Sequence, residues 1–128
     1  MDVLLVDDHP VIHETLRTIV HSVRPGADFF GQFDLESGLV EAKRMNDLGL
    51  VLLDLGLPGY AGMDALIRFR TEIPRARVAV ISADDDEDQV RAPLKAGAVG
   101  YLPKTLLPMA MAEAIRVILD GGSYRPTG

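Results

Sequence analysis

Four short stretches of the chain are apolar at consecutive positions: Val3 to Val6, Leu50 to Leu53, Val78 to Ile81, and Ala98 to Leu102 with Gly100 inside. A strand buried on one face alternates apolar and polar residues, whereas a strand covered on both faces is apolar throughout. Phe29 to Phe33 is a weaker fifth candidate. Between these runs lie segments of helical period, clearest in the first, where Ile12, Leu16, Ile19, Val20 and Val23 share one side. A β-α unit repeated five times predicts a parallel sheet with right-handed crossovers and helices on both faces. The punctuation agrees. Pro10 suits a first helical position, Pro25-Gly26 stops the first helix, and Gly97 and Gly121 end the fourth and fifth.

At 128 residues the chain suffices for one domain with a real core. Apolar residues at 48% and charged residues at 25% give the balance of a soluble globular protein. No apolar run is long enough to span a bilayer. The first strand begins too close to Met1 for a signal peptide, so a cytoplasmic location is expected. The absence of cysteine excludes disulfides, thiolate zinc sites and cysteine nucleophiles. A net charge of −6 opposes the basic stripe that nucleic-acid phosphates require, so this segment is not expected to touch nucleic acid. Ser123 to Gly128 is small and polar, which reads as the start of a linker and bounds the domain at residues 1–122.

In open parallel sheets, ligands sit beyond the carboxyl ends of the strands, where the following loops line a shared crevice. Asp7 and Asp8 follow the first strand, Asp54 ends the third, Ser82 ends the fourth, and Lys104 stands just past the fifth. Three carboxylates in one crevice repel each other and either bind protons or recruit a cation. Oxygen ligands without histidine or cysteine favour a hard ion such as magnesium, with manganese as the alternative. A cation, a lysine and a hydroxyl around one aspartate suit phosphoryl transfer to it, because the positive charges neutralise the phosphoryl oxygens.

The pair Asp7-Asp8, the stretch Leu53-Asp54-Leu55-Gly56-Leu57-Pro58 with Gly62, the pair Ser82-Ala83, and Lys104 together resemble the response-regulator receiver family. Each motif alone is common; their joint occurrence at the right strand ends is specific. Val6 to Pro10 and Gly100 to Lys104 further resemble the NarL/FixJ (LuxR-type) branch, whose members usually carry a helix-turn-helix output domain. The resemblance implies a flavodoxin-like (βα)5 doubly wound sheet in strand order 2-1-3-4-5. It implies a phospho-acceptor switch rather than an enzyme with an external product, loaded on Asp54 by a sensor histidine kinase or a small phosphodonor. It implies that Asp8 and Asp54 ligate the metal, that Asp7 orients a metal-bound water, and that the Gly56 carbonyl is a further ligand. Lys104 would pair with the phosphoryl group, Ser82 would turn to bond it, and Tyr101 would swing inward into the space vacated. The output domain, absent from this chain, and a homodimer through the fourth and fifth helices would read the switch.

Several positions depart from the pattern. Gly56 brings no side chain to the pocket mouth and Asp84 brings a negative one; family members vary at both, with effects on phosphoryl lifetime. Acids among Asp85 to Asp88 are better read as favoured by the dipole of a helix start. Pro93 inside the fourth helix predicts a kink or fraying. Thr105 follows Lys104 where many receivers have proline after a cis bond. Pro108 opens the fifth helix without a capping residue at Leu107, and Leu106, Leu107 and Met109 form an apolar cluster that suits core packing or a partner face.

Single residues also have plainer readings. Asp54 could cap a turn before Pro58-Gly59, Ser82 could end a strand, Lys104 could be a loop charge, and Tyr101 could be core. His9, His13 and His21 read as surface histidines, although His9 adjoins the acids and could sense pH. Arg75 and Arg77 read as solvated. A nucleotide-binding flavodoxin-like protein would need a Gly/Ser/Thr-rich loop where the two acids stand. An aspartyl phosphatase would want an acid at Gly56. A degenerate receiver, acting only as a protein-binding module, would usually have lost the acceptor, an acid or the lysine.

Overall fold

The computed structural model describes residues 1–84 and 86–126. Five strands alternate with five helices: β1 (Asp2–Val6), α1 (Pro10–Val23), β2 (Asp28–Gln32), α2 (Leu35–Arg44), β3 (Leu48–Asp54), α3 (Asp64–Glu72), β4 (Val78–Ser82), α4 (Glu87–Lys95), β5 (Gly100–Pro103) and α5 (Pro108–Leu119). All strand pairs are parallel, and the sheet order is β2-β1-β3-β4-β5. The expected flavodoxin-like doubly wound sheet is therefore present.

The consecutive apolar runs arise because each strand feeds two cores. Leu4, Val6, Val51, Leu53, Val78, Val80 and Tyr101 face one core with Leu35 and Leu39 of α2, Leu66 and Phe69 of α3, and Val90 of α4. Val3, Leu5, Leu50, Leu52, Ala79, Ile81 and Leu102 face the other with Leu16, Ile19 and Val20 of α1 and Met111, Ala114, Ile115 and Ile118 of α5. The period-two alternation of a strand thus sorts its residues between two helical layers. The β2 strand is less apolar because it is an edge, and Phe33 falls just beyond it, half exposed.

Helix boundaries follow local chemistry. Pro10 and Pro108 open α1 and α5, and Gly97 and Gly121 take φ of 98° and 97° after α4 and α5. Asp86 caps α4 through the Asp88 amide, with Glu87 and Asp88 in the first turn; Asp85 lies outside the described residues. The α4 helix continues two residues past Pro93, whose ring is buried. The Lys104-Thr105 bond is trans.

The solvated reading of Arg75 and Arg77 is corrected. Arg75 is not free in solvent: its guanidinium donates to the carbonyls of Ala42 and Met45 at the end of α2, at 3.0 and 2.8 Å. Arg77 donates to Ile118 and Gly122 carbonyls at the end of α5, at 2.8 and 2.9 Å. The last carbonyls of a helix lack intrahelical donors, and each arginine supplies them. The segment after residue 122, expected as linker, packs on the β5 edge: the Tyr124 amide donates to Val99 at 3.1 Å, its carbonyl accepts from Tyr101 at 3.0 Å, and Arg125 pairs with Glu87 at 2.9 Å. Thr127 and Gly128 lie outside the described residues. No helix among the described residues is long and apolar enough to cross a membrane.

Candidate functional site

The strand ends gather the sequence-predicted residues in one place. A cleft of about 450 Å³ at the carboxyl edge is lined by His9, Asp54, Gly56, Ser82, Asp84, Tyr101 and Lys104, among others. Parallel hydrogen bonding sets their levels: Leu55 donates its amide to Ile81 at 3.0 Å, and Lys104 donates its amide to Ser82 at 2.7 Å.

Asp7 and Asp54 are buried. Lys104 Nζ lies 3.0 Å from Asp7 Oδ2 and 3.4 Å from Asp54 Oδ2, and the lysine side chain is itself only 15% exposed. One ammonium therefore serves two buried carboxylates. Asp54 Oδ1 accepts the Gly56 amide at 2.8 Å, which fixes the carboxylate plane and leaves Oδ2 for the cleft. Burial raises the Asp54 pKa, the Asp7 charge adds to the rise, and the Gly56 amide and Lys104 oppose it. Beyond the shared Lys104 ammonium at Asp7 Oδ2 and Asp54 Oδ2, and His9 Nδ1 at 3.1 Å from Asp8 Oδ1, these three buried oxygens accept no hydrogen bond. Buried acceptors in that condition are costly unless a cation or proton meets them. Asp7, Asp8, His9 and Asp54 each offer a ligand atom, all within 4.8 Å of one another, so the residues fit a bound cation.

Ser82 Oγ accepts the Asp84 amide at 3.1 Å, so the hydroxyl is tied to its own loop. Tyr101 is fully buried, and its hydroxyl donates to the Asp84 carbonyl. The ring lies inward in this structure. Asp84 is exposed at the cleft, with its carboxylate accepting the Asp86 amide at 2.9 Å. Leu107 and Met109 are exposed at 76% and 87%, while Leu106 packs against the α1/α5 core.

One histidine departs from the surface reading. His13 is buried, its Nε2 donates to the Asp7 carbonyl at 2.7 Å, and its ring stacks on Phe33 at 4.2 Å. The Asp7 peptide is thus held at both ends, since its amide donates to Gln32 at 3.1 Å. The signal was available: His13, Leu16 and Val20 share one helical stripe. His9 is exposed, but its Nδ1 reaches Asp7 Oδ1 at 2.8 Å, within the acid cluster.

Residues 3–116 match the family profile described as the response regulator receiver domain. The chain belongs to that family. Among relatives of this receiver, the glycerol metabolism activator of Pseudomonas putida is 36% identical over 97% of the chain and 56% of the relative. The nitrate/nitrite response regulator protein NarL of Escherichia coli is 32% identical over 93% of the chain and 55% of the relative. A LuxR family DNA-binding response regulator from Silicibacter pomeroyi superposes with a TM-score of 0.84 at 30% identity, covering 98% of this chain and 97% of that one. The receiver spans just over half the length of the curated relatives it matches. Receiver domains are regulatory signalling domains that bind magnesium through acidic residues, and the acidic cluster here is of that kind.

Proposed function

We propose that this receiver is a phospho-acceptor switch in which Asp54 takes a phosphoryl group from the phosphohistidine of a sensor kinase, or from a small phosphodonor. The observation that carries this reading is Asp54 Oδ2: a buried carboxylate oxygen without a hydrogen bond, 3.4 Å from Lys104 Nζ, at the floor of an open cleft. Oδ2 attacks phosphorus, the P–N bond of the phosphohistidine (or the P–O bond of a small acyl phosphate) breaks with the imidazole (or carboxylate) leaving, and an acyl phosphate forms on Asp54. Asp8, Asp54 and the Gly56 carbonyl would hold magnesium, with Asp7 orienting one of its waters. When bound, that ion offsets the charge on the phosphoryl oxygens.

The chain's own groups do the rest. Gly56 donates to Oδ1 and so presents Oδ2. Lys104 exchanges its contact with Oδ2 for a phosphoryl oxygen. Ser82 releases the Asp84 amide and donates its hydroxyl to another. That rotation alters the β4-α4 loop, whose Asp84 carbonyl holds the Tyr101 hydroxyl. Since Tyr101 is already buried, phosphorylation here stabilises an arrangement the ring can adopt beforehand, by population shift. The altered α4-β5-α5 face, with exposed Leu107 and Met109, would meet a second copy or a helix-turn-helix output domain. The domain would then regulate transcription in the cytoplasm, without touching nucleic acid itself.

The test is acetyl phosphate or beryllofluoride with magnesium, on wild type and Asp54→Asn, read by intact mass and by amide spectra. A magnesium-dependent phosphoryl adduct on the wild type alone supports the switch. Identical spectra with and without these reagents would favour a phosphorylation-independent binding module instead.

A further inference from the structure

We infer that His13 is a positioning residue for the acid pair: by donating from the core face of α1 to the Asp7 carbonyl, it sets how Asp7 and Asp8 face the cleft, and through them the affinity of the pocket for magnesium. The inference deepens the phospho-acceptor reading and rests on it.

Consecutive side chains of an extended strand point to opposite faces. Asp7 and Asp8 are neighbours, yet both carboxylates reach one cluster with Asp54. The backbone must therefore leave the strand between them. It does so: β1 ends at Val6, and the chain bends at Asp8. The Asp7 amide still belongs to the ladder with β2, donating to Gln32 at 3.1 Å, whereas the Asp7 carbonyl is met by Nε2 of His13 at 2.7 Å. A side chain of α1 thus pins the point at which the chain turns out of the sheet.

That side chain is itself confined. His13 is only 5% exposed, and its ring stacks on Phe33 at 4.2 Å with 25° between the planes. On another side stands Gly31, where a Cβ would fall 2.4 Å from Nδ1 and 2.8 Å from Cε1. The end of β2 therefore offers a ring wall and a notch without a side chain, and the imidazole fills the slot between them.

The other braces act elsewhere. The His9 amide donates to Asp7 Oδ1 at 2.8 Å, and Lys104 Nζ lies 3.0 Å from Asp7 Oδ2. Both hold the Asp7 carboxylate, whereas His13 holds the peptide that joins Asp7 to Asp8. The Asp8 side chain is 32% exposed, so its direction depends on that peptide more than on packing. An apolar residue at position 13 would keep the core filled and leave the carbonyl without this donor. The two carboxylates would then sample a wider range of directions, and binding an ion would have to narrow it. Groups that orient metal ligands from behind are worth about tenfold or more in affinity.

The experiment compares wild type, His13→Leu, His13→Gln and Val20→Ala. Val20→Ala is the structural control, because it opens the buried face of the same helix two turns further on. Magnesium affinity is measured by calorimetry, and the rate of Asp54 labelling by acetyl phosphate is followed as magnesium is raised. His13→Leu should weaken magnesium roughly tenfold, and His13→Gln, which keeps an N–H, should recover part of the loss. Labelling at saturating magnesium should fall much less than the affinity, since His13 reaches the pocket only through the Asp7 peptide. Val20→Ala should bind magnesium within about twofold of wild type. Unchanged affinity in His13→Leu, or an equal loss in Val20→Ala, would overturn the positioning role while leaving the magnesium pocket intact. Failure of the wild type to bind magnesium would overturn the pocket and the inference together.

Discussion

Nε2 of His13 donates to the main-chain carbonyl of Asp7 across 2.7 Å, tying the middle of the α1 core stripe to the peptide that presents both acids. Removing the donor leaves a buried carbonyl unpaired, which costs about 1–3 kcal/mol. His13→Leu should lose that much in urea unfolding, and His13→Gln, which keeps an N–H, should recover part. A Cβ on Gly31 would fall 2.4 Å from His13 Nδ1, so Gly31→Ala should also destabilise, by about 1–3 kcal/mol. The two losses should be less than additive in the double variant, because each displaces the same ring. Full additivity would place the Gly31 effect elsewhere.

Asp54 has a pKa raised above its ordinary 3.8, chiefly by burial. Its folded value exceeds its unfolded one, so the native state holds the proton more tightly and ionisation is the destabilising event. In metal-free buffer, this group costs no stability below pH 3.8, and stability falls as pH rises from there through the folded pKa. Asp54→Asn should remove that slope and raise the melting temperature near neutrality by a few degrees. Magnesium should reverse the order. At 100 times its dissociation constant it stabilises by about 2.7 kcal/mol, a gain that Asp54→Asn should largely forgo. Thermal melts with magnesium or a chelator decide both points.

Asp84 places an exposed carboxylate at the mouth of the cleft. Its charge repels anionic phosphodonors, so Asp84→Ala should speed labelling by acetyl phosphate roughly 2- to 5-fold at low salt, with a smaller effect in high salt. Gly56 adds no bulk beside Asp54 and leaves room for water, so Gly56→Ser should lengthen the life of the phosphorylated form. Unchanged phosphorylation and dephosphorylation rates would dismiss these roles.

Pro93 denies the Gln89 carbonyl its helical donor within a nine-residue helix. Amide exchange in Val90 to Leu94 should therefore be faster than in Leu16 to Val20 of α1 by at least tenfold. Pro93→Ala should slow it. Equal protection in the two helices would show that the buried proline is locally tolerated.

Most of this architecture was legible because burial on both faces leaves a plain mark: Val3 to Val6 and Leu50 to Leu53 cannot be half-exposed strands. The site was legible for a related reason, since Asp7, Asp8, Asp54, Ser82 and Lys104 each stand one or two residues past such a run. What escaped were contacts whose partners are main-chain atoms far away in sequence. Arg75 and Arg77 read as solvated because nothing in their neighbourhood announces the ends of α2 and α5. His13 read as a surface residue because a polar side chain on a core stripe was given the usual exposure of its type, though its spacing with Leu16 pointed inward. His9 read as a surface residue adjoining the acids, and it stands exposed with Nδ1 2.8 Å from Asp7 Oδ1.

Tyr124 donates to Val99 and accepts from Tyr101, so the unpaired side of β5 is partly covered by the chain itself. An outer strand with free amides invites another strand to add to it, and long, flat, apolar ones invite aggregation. Here the backbone positions flanking Gly100 are taken, and the Arg125-Glu87 pair closes the seam toward α4. Any strand adding beside Gly100 would first have to displace Tyr124 and break both of its backbone hydrogen bonds.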